Sequence, residues 1–412
     1  MIKFSRHILE NGLTVLCNTD SGTPFVSVNI LYKVGAKNEI PQKTGFAHLF
    51  EHLMFSGSVN VKDFDREVQL AGGDSNAYTT NDYTNYYITI PAENLETALW
   101  LESDRMLGLN LTPQALDVQK HVVIEEFKQR YLNAPYGDIW LKLRPLSYRV
   151  HPYRWPTIGI SPEHIEKATA EDVKEFFRHY YAPNNAIIGI SGNVSEDKAL
   201  KLVRKWFGDI PPSDYRQTPL PQEPEQTEAR RLVLTDNPVP ADVIYKVYHM
   251  GSRNSENFYR CDIISDILSN GQSSRLYLHL IKESRLFSSI DAYVTGDIDP
   301  GLFVFSGKLS EGSSVEAAEA SMEKELKNFI EDPIPGHELR KVIHKTEARI
   351  SFSEINYQSK ANNLAFFEYL GDAELINNEN KKYEQITPEK MKETARNLFR
   401  PENCSTLIYL KK

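Results

Sequence analysis

The stretch Thr44-Gly45-Phe46-Ala47-His48-Leu49-Phe50-Glu51-His52-Leu53-Met54-Phe55 decides how this chain is organised. Nearly every position between its polar residues is apolar, so a helix formed here would be buried. Imidazole and carboxylate groups are costly to bury unless they are paired or bind a metal. At the helical advance of about 100° per residue, His48, Glu51 and His52 fall within one arc of about 100°. The three side chains can therefore meet at one point.

The order of these polar residues, H-x-x-E-H, is the reverse of the H-E-x-x-H zinc helix. Two imidazoles one turn apart can bind one zinc ion, and a glutamate between them is placed to hold a metal-bound water. The pattern predicts that His48 and His52 bind zinc and that Glu51 is the general base. The competing interpretation, which the pattern alone leaves open, is a buried helix whose histidines bond backbone carbonyls.

Length and composition limit the classes of protein that fit. A chain of 412 residues exceeds the size at which one core usually stops growing, so we expect two domains. The net charge of −9 argues against nucleic acid as a partner. No apolar run approaches the roughly 18 residues needed to span a bilayer, so membrane insertion is not expected. Without a signal-peptide pattern at its start the chain is expected to be cytoplasmic, with a periplasmic location still open for a processed precursor.

A proline-rich stretch and an internal repeat predict the domain borders. Prolines cluster among polar residues between 211 and 224, a composition typical of a linker. We predict an N-terminal metal-binding α/β domain at 1–212, a linker at 213–228 and a homologous C-terminal domain without metal at 229–412.

The repeat itself is marked by equal spacings. Thr169 and Pro183 bracket a helix-like span, as do Thr387 and Pro401, and an apolar strand follows each proline. In the second copy the segment expected to match the histidine helix lies near residues 261–268 and contains neither His nor Glu. Only the first copy is expected to hold metal.

Local patterns predict alternating strands and helices, which points to an α+β fold. Asn11-Gly12 between apolar segments predicts a hairpin turn. Apolar alternation predicts strands, and helical spacing predicts helices, in the following ranges: strands at 26–34, 74–80, 84–90 and 185–192, and helices at 61–71, 92–107, 113–132 and 170–181.

With these residues the chain resembles the M16 metallopeptidases, which include pitrilysin, insulin-degrading enzyme and the mitochondrial processing peptidases. The resemblance extends over the full length through the repeat, and it includes a glycine-rich strand at 72–79 after the H-x-x-E-H motif. It implies a LuxS/MPP-like metallohydrolase fold with two homologous α/β domains. Each domain is expected to be a mixed, mostly antiparallel sheet covered by helices.

The resemblance also implies a third zinc ligand, Glu126, at the second acidic position of Glu125-Glu126. Two imidazoles and one carboxylate leave a fourth tetrahedral position open, as in catalytic zinc sites. Without the histidine motif, both glutamates would be read as an exposed helix face. Gln119 stands where the family usually has a glutamate, which is expected to alter the support of the ligands.

By the same resemblance, Ser75, Asn76, Ala77 and Tyr78 form an edge strand to which a peptide substrate adds as another strand. Backbone pairing of this kind accepts many sequences, because its hydrogen bonds do not depend on side chains. An ordinary sheet edge is the alternative.

One expected feature is missing. The family normally carries an arginine and a tyrosine in its C-terminal half, and these positions fall here at Ile281 and Ser288. Loss of such oxyanion donors costs a factor of about 100 to 1,000 in rate. We therefore expect a homologous M16 subunit to supply the pair in a two-chain clamshell chamber. The expected assembly is a heterodimer with such a subunit, or a homodimer. Arg275, Tyr277 or Arg285 could instead substitute locally.

Three functions are compatible with these features. The first is a zinc endopeptidase subunit, with one Zn²⁺ per chain, acting on short or unfolded peptides. The second is a non-catalytic assembly or scaffold subunit of the same family. The third is a zinc hydrolase of small molecules, which suits the duplicated halves less well. The polar residues inside an apolar helix favour the first, since a scaffold has no need of them.

Overall fold

A computed structural model, which describes residues 1–235 and 238–412, shows two α/β units, each built on one sheet. The strands of the described ranges are β1 Ser5–Ile8, β2 Thr14–Thr19, β3 Phe25–Tyr32, β4 Asp74–Thr79, β5 Thr84–Pro91, β6 Ala186–Gly192, β7 Arg230–Leu234, β8 Val243–His249, β9 Phe287–Val294, β10 Leu302–Leu309 and β11 Cys404–Tyr409.

The helices are α1 Phe46–Leu53, α2 Phe64–Leu70, α3 Leu95–Leu107, α4 Pro113–Phe127, α5 Ile139–Ser147, α6 Pro162–Glu166, α7 Ala170–Tyr180, α8 Glu196–Phe207, α9 Glu256–Ser269, α10 Val315–Glu331, α11 Gly336–Ser353, α12 Tyr357–Tyr369, α13 Glu379–Glu384 and α14 Pro388–Leu398. Of the helices in the described ranges, none is both long enough and apolar enough to cross a membrane.

Both sheets are mixed and mostly antiparallel. The first has the strand order β1-β2-β6-β3-β5-β4 and the second the order β7-β11-β8-β10-β9. The pairs β2/β6 and β7/β11 are parallel, and the other neighbouring pairs are antiparallel. The predicted fold class, α+β with two homologous α/β domains, is confirmed.

The duplication predicted from the sequence is visible in the topology. Strands β2-β6-β3-β5-β4 of the first sheet correspond in order and direction to β7-β11-β8-β10-β9 of the second. In each unit a threonine, Thr169 or Thr387, caps a helix by accepting a backbone N–H bond. A 3-10 turn then follows, Pro183–Asn185 or Pro401–Asn403, and leads into β6 or β11. The spacing recognised in the sequence thus marks one helix-turn-strand element used twice.

The two compact units are discontinuous in sequence. Unit 1 comprises Met1–Gln129, Trp155–Leu220 and Ile350–Asn378, and unit 2 comprises Arg130–Arg154, Pro221–Arg349 and Glu379–Lys412. Helix α12 therefore packs on the first sheet, where Lys360 binds Asp20 at 2.5 Å. These units, defined by packing, differ from the consecutive domains predicted at 1–212, 213–228 and 229–412. The predicted borders describe the two copies of the repeat in the sequence, and they remain a prediction.

Local capping explains where two predicted helices differ from the observed ones. The helix predicted at 61–71 begins at Phe64, because the Asp63 side chain accepts a bond from the Arg66 N–H and caps it. The helix predicted at 113–132 is α-helical to Phe127 and continues as a π-helical turn over Lys128–Leu132.

Helix α1 is fixed against its neighbours by aromatic contacts. The Phe50 ring lies 4.9 Å from the Phe176 ring and 5.0 Å from the Tyr181 ring, centroid to centroid. All three side chains are buried, with Phe50 fully so. Because aromatic rings bury much surface and prefer defined geometries, this stack sets how α1 presents its polar face.

The capping box of α7 predicts that the stability of the fold depends on pH through the Asp172 carboxylate. Asp172 accepts bonds from Thr169 and from Lys43, which holds the pKa of its carboxyl down at about 2. Since this pKa is depressed, the carboxylate stabilises the fold above its ordinary pKa, and that contribution disappears as the pH falls toward 2. We expect Asp172→Asn to cost about 0.5 to 1 kcal/mol at pH 7, mainly through loss of the partly exposed ion pair with Lys43.

Thermal unfolding at pH 7, 5 and 3 measures this cost, which should shrink at the lowest pH. Glu171→Gln is the matched control, because Glu171 lies on the same turn and is largely exposed. An equal loss at pH 3 and pH 7 would contradict the assignment.

Candidate metal centre

Helices α1 and α4 bring three potential metal ligands together. The Glu126 Oε2 atom lies 3.7 Å from His48 Nε2 and 3.4 Å from His52 Nε2. The two imidazole rings stand nearly perpendicular, at 87°, with centroids 4.9 Å apart. In the described ranges this is the cluster of three His, Cys, Asp or Glu residues that could hold a metal ion, with its donor atoms all within 4.8 Å of one another.

The donor set fits zinc. Tetrahedral coordination with bonds of about 2.0 to 2.2 Å places two N or O donors about 3.4 Å apart, close to the distances between these donors. The side chains of His48, His52 and Glu126 are 12%, 25% and 17% exposed. The cluster is therefore shielded from most water and still reachable from solvent, as a catalytic ion requires.

The orientation of α4 selects Glu126 rather than its neighbour. Val123 and Phe127 are buried and fix the inner face of the helix. Glu126 lies on the side that meets α1, whereas the Glu125 side chain is 59% exposed and binds Lys128 at 2.7 Å. Adjacent residues on a helix point about 100° apart, so one of the two glutamates has to face outward.

Glu51 lies beside the ligands and has a partner that the sequence did not reveal. The Thr79 hydroxyl donates a hydrogen bond to Glu51 Oε2 at 2.7 Å. Burial raises the pKa of the Glu51 carboxyl above its ordinary value, while the Thr79 bond and the nearby His52 lower it. A raised pKa brings a carboxyl closer to the value that suits proton transfer near neutral pH. The sequence predicted a strand at 74–80 that includes Thr79, but it gave no sign that the Thr79 side chain would contact Glu51.

Comparison with known proteins supplies the family. Residues 14–135, which contain the cluster, match the model of the insulinase family, also called peptidase family M16. Residues 167–346 match the model of the peptidase M16 inactive domain. The chain belongs to peptidase family M16. The predicted relationship is thus confirmed, with the metal cluster in the insulinase match.

Individual proteins match nearly the whole chain. Zinc protease PqqE of Helicobacter pylori is 30% identical over 98% of this chain and 91% of its own length. A crystal structure of a protease from Helicobacter pylori superposes with a TM-score of 0.94, at 28% identity over 99% of this chain and 100% of that one. The periplasmic protease PqqL of Escherichia coli shares the fold at 17% identity and a TM-score of 0.81, and this chain covers 48% of it.

The M16 substrate strand predicted from the sequence is an edge strand. In the described ranges β4 pairs with β5 alone, and it holds Ser75, Asn76, Ala77 and Tyr78 at the end of the first sheet. The Tyr78 hydroxyl donates to Asn362 Oδ1 of α12 at 3.0 Å, so this side chain is already engaged in packing. That a peptide pairs with the outer backbone edge of β4 stays a prediction.

The structure also places Gln119, which was predicted to affect the metal ligands, and three residues considered in connection with the missing arginine and tyrosine. Gln119 is half-buried on α4, two turns before Glu126 and on the same face, and its effect on the ligands stays a prediction. Arg275 binds Glu338 through Nε and Nη2, at 3.1 and 2.7 Å. Ile281 lies in the π-helical segment Tyr277–Glu283 and Ser288 on β9. Arg275 is thus committed to a local ion pair.

Proposed function

We propose that this chain is the zinc-carrying subunit of an endopeptidase that cleaves short or unfolded peptides. The observation that carries the proposal is the convergence of His48, His52 and Glu126, with Glu51 on the same helix as the histidines. Its relatives include proteins named zinc proteases, which agrees with this donor set. A non-catalytic subunit would have no reason to keep these polar groups partly buried.

The residues have separate roles in the proposed reaction. A zinc ion held by His48, His52 and Glu126 would supply Lewis acidity to a peptide carbonyl and to water. Glu51 takes a proton from the attacking water and returns it to the departing amine nitrogen. Thr79 keeps the Glu51 carboxylate in place through its hydroxyl bond at 2.7 Å. Gln119 is proposed to influence the ligands from the neighbouring turns of α4.

The proposed substrate is an extended peptide paired with β4. Ser75–Tyr78 lie on this edge strand, where the Ala77 N–H donates to Asn76 Oδ1 at 2.8 Å and would have to exchange this bond for one to a peptide. Thr79, the next residue, contacts Glu51. A peptide bound as an added strand would thus run past the catalytic glutamate. Main-chain pairing accepts many sequences but requires an extended conformation, which favours short or unfolded substrates.

A homologous M16 subunit is proposed as the partner. Neither Ile281 nor Ser288 can stabilise an oxyanion as an arginine and a tyrosine would, and Arg275 is engaged by Glu338. The fold of this chain accounts for 48% of the protease PqqL, which is consistent with two such folds acting together. A heterodimer with a subunit that has the arginine and tyrosine would complete the site.

Zinc content and peptide cleavage test the proposal, with two adjacent glutamates as variant and control. We expect Glu126→Gln to weaken zinc binding by more than the roughly 10 to 100-fold typical for loss of a supporting group, because it removes a ligand. Cleavage of a fluorogenic peptide library should fall with it. Glu125→Gln should change neither, since Glu125 is exposed.

Metal analysis after dialysis and a chelator competition measure the affinity directly. A wild-type chain that takes up no zinc, or a Glu126→Gln variant that binds it as tightly as wild type, would overturn the metal centre. Hydrolysis of small esters or amides without cleavage of any peptide would favour the small-molecule hydrolase instead.

A further inference from the structure

The first turn of α1 is capped from outside the helix. Its N-cap residue is Gly45, which has no side chain to accept the free N–H groups that begin every helix. Glu39 accepts them instead: Gly45 N–H donates to Oε2 and Ala47 N–H to Oε1, each at 2.9 Å. Glu39 is only 6% exposed. Both oxygens of a buried carboxyl group therefore hold the start of the helix that carries His48.

Glu39 is itself held in place by a tight turn. Its N–H donates to Ala36 O at 3.2 Å, at the end of the 3-10 helix Ala36–Asn38. The same carbonyl oxygen accepts a bond from Trp155 Nε1 at 2.9 Å, and the Trp155 side chain is 2% exposed. These bonds fix the backbone of Glu39, and so they limit where its carboxyl group can lie relative to α1.

The start of the helix is also closely packed by neighbouring backbone. Gly45 has φ of +88°, and a Cβ atom there would lie 2.6 Å from Ile158 O. Gly159 has φ of +95°, and a Cβ atom there would lie 2.9 Å from Thr44 C. Two glycines are required for this approach, which leaves the chain little room to shift. Thr44 Oγ1 also accepts the Ile160 N–H at 2.9 Å.

A cap that serves stability alone would not need this arrangement. Helices α4 and α7 are capped by the side chains of Thr112 and Thr169, without a buried acid. At Glu39, burial raises the pKa of the carboxyl to about 8, against the lowering effect of the N–H groups of 45–47. Burying this group costs free energy, so a gain other than stability would explain it.

The position of the bonded amide suggests what is gained. Ala47 directly precedes His48, so its N–H bond to Glu39 fixes the first turn at the residue before a ligand. A small rotation of this turn would move the His48 imidazole relative to Glu126, since the side chain extends from the same turn. Metal ligands need their orientation fixed by such supporting bonds.

We propose that Glu39 is a positioning residue for the metal centre, which sets the orientation of His48 by holding the Gly45 and Ala47 N–H groups. The inference rests on the proposed zinc function of the cluster. It assigns to Glu39 an effect on metal affinity that is separate from its effect on stability.

The test compares Glu39→Gln with Glu223→Gln. Glutamine keeps the size of the side chain but replaces one acceptor oxygen by an amide nitrogen that cannot accept a bond. Glu223 is a matched control: its carboxylate accepts the N–H groups of Arg149, Val150 and His151 at 2.7 to 2.9 Å, in unit 2. Zinc affinity by chelator competition, amide hydrogen exchange and peptide kinetics are measured on the full chain.

We expect Glu39→Gln to weaken zinc binding by about 10-fold or more and to speed exchange at the Gly45 or Ala47 amide. At saturating zinc, kcat should fall while KM stays within about twofold, because β4 is unchanged. Glu223→Gln should keep the wild-type zinc affinity. Glu39→Asp, whose shorter side chain retains two oxygens, should recover part of the affinity.

Zinc affinity of Glu39→Gln within twofold of wild type would overturn the inference, whatever its stability. Equal weakening by Glu223→Gln would also overturn it, since the effect would then be general. If Glu39→Gln does not fold, Glu39→Asp takes its place: faster exchange at the Gly45 or Ala47 amide together with weaker zinc binding supports the inference, and faster exchange with unchanged zinc affinity overturns it. A wild-type chain without zinc uptake would instead refute the proposed function, so the two failures are distinguishable.

Discussion

Replacement of Glu51 by glutamine should leave zinc in place and remove peptide cleavage. His48, His52 and Glu126 form the donor cluster without Glu51, so the Glu51→Gln variant should bind zinc with wild-type stoichiometry. An amide cannot accept a proton at neutral pH, so the general base is lost. We expect turnover to fall by about 10² to 10⁴-fold, the usual contribution of acid and base catalysis.

This result is checked by metal analysis and by peptide kinetics on the same preparation. Glutamine can still accept the Thr79 hydroxyl bond, so the site should keep its packing. Glu125→Gln is the control, since its side chain is 59% exposed. Turnover of Glu51→Gln within tenfold of wild type would remove Glu51 from the mechanism, and loss of zinc would instead make it a ligand.

Helix α1 and its polar face could be predicted because this information is local. Spacing alone places His48, Glu51 and His52 on one face, since helical geometry is fixed over one turn. Glu126 required the family resemblance, because nothing in the spacing says which distant carboxylate returns to the site. Which of the two glutamates lies near the histidines depends on which face of α4 is buried, and in the structure Glu126 is near His52 while Glu125 is exposed.

Contacts over long sequence distances account for what the sequence did not reveal. The repeat could be recognised because Thr169 and Thr387 cap equivalent helices. The assignment of residues 350–378 to the first unit could not, since it depends on α12 packing against a sheet formed more than 150 residues earlier. Glu39 was missed for a related reason, because an acid in a short loop gives no sign that it will cap the next helix.

The isolated chain should be a slow peptidase even when fully loaded with zinc. It lacks the arginine and tyrosine that would stand at Ile281 and Ser288, and loss of preorganised oxyanion donors costs about 10² to 10³-fold in rate. We expect a homologous M16 subunit that has both residues to raise peptide cleavage by this factor when it is mixed with the chain. Titration of the partner against a fixed amount of the chain measures the gain.

Variants made separately in the two subunits identify which subunit supplies the general base and which supplies the oxyanion donors. The complex should lose activity when Glu51→Gln is made in this chain, and also when the arginine and tyrosine of the partner are replaced. Arg275→Ala should leave the complex active, because Arg275 is held by Glu338 and does not supply the missing donor. Full activity of the chain alone at every concentration would contradict the requirement, since a second copy of this chain lacks the same two residues. Activity that is lost in Arg275→Ala would place the oxyanion donor in this chain, and the partner would then serve assembly alone.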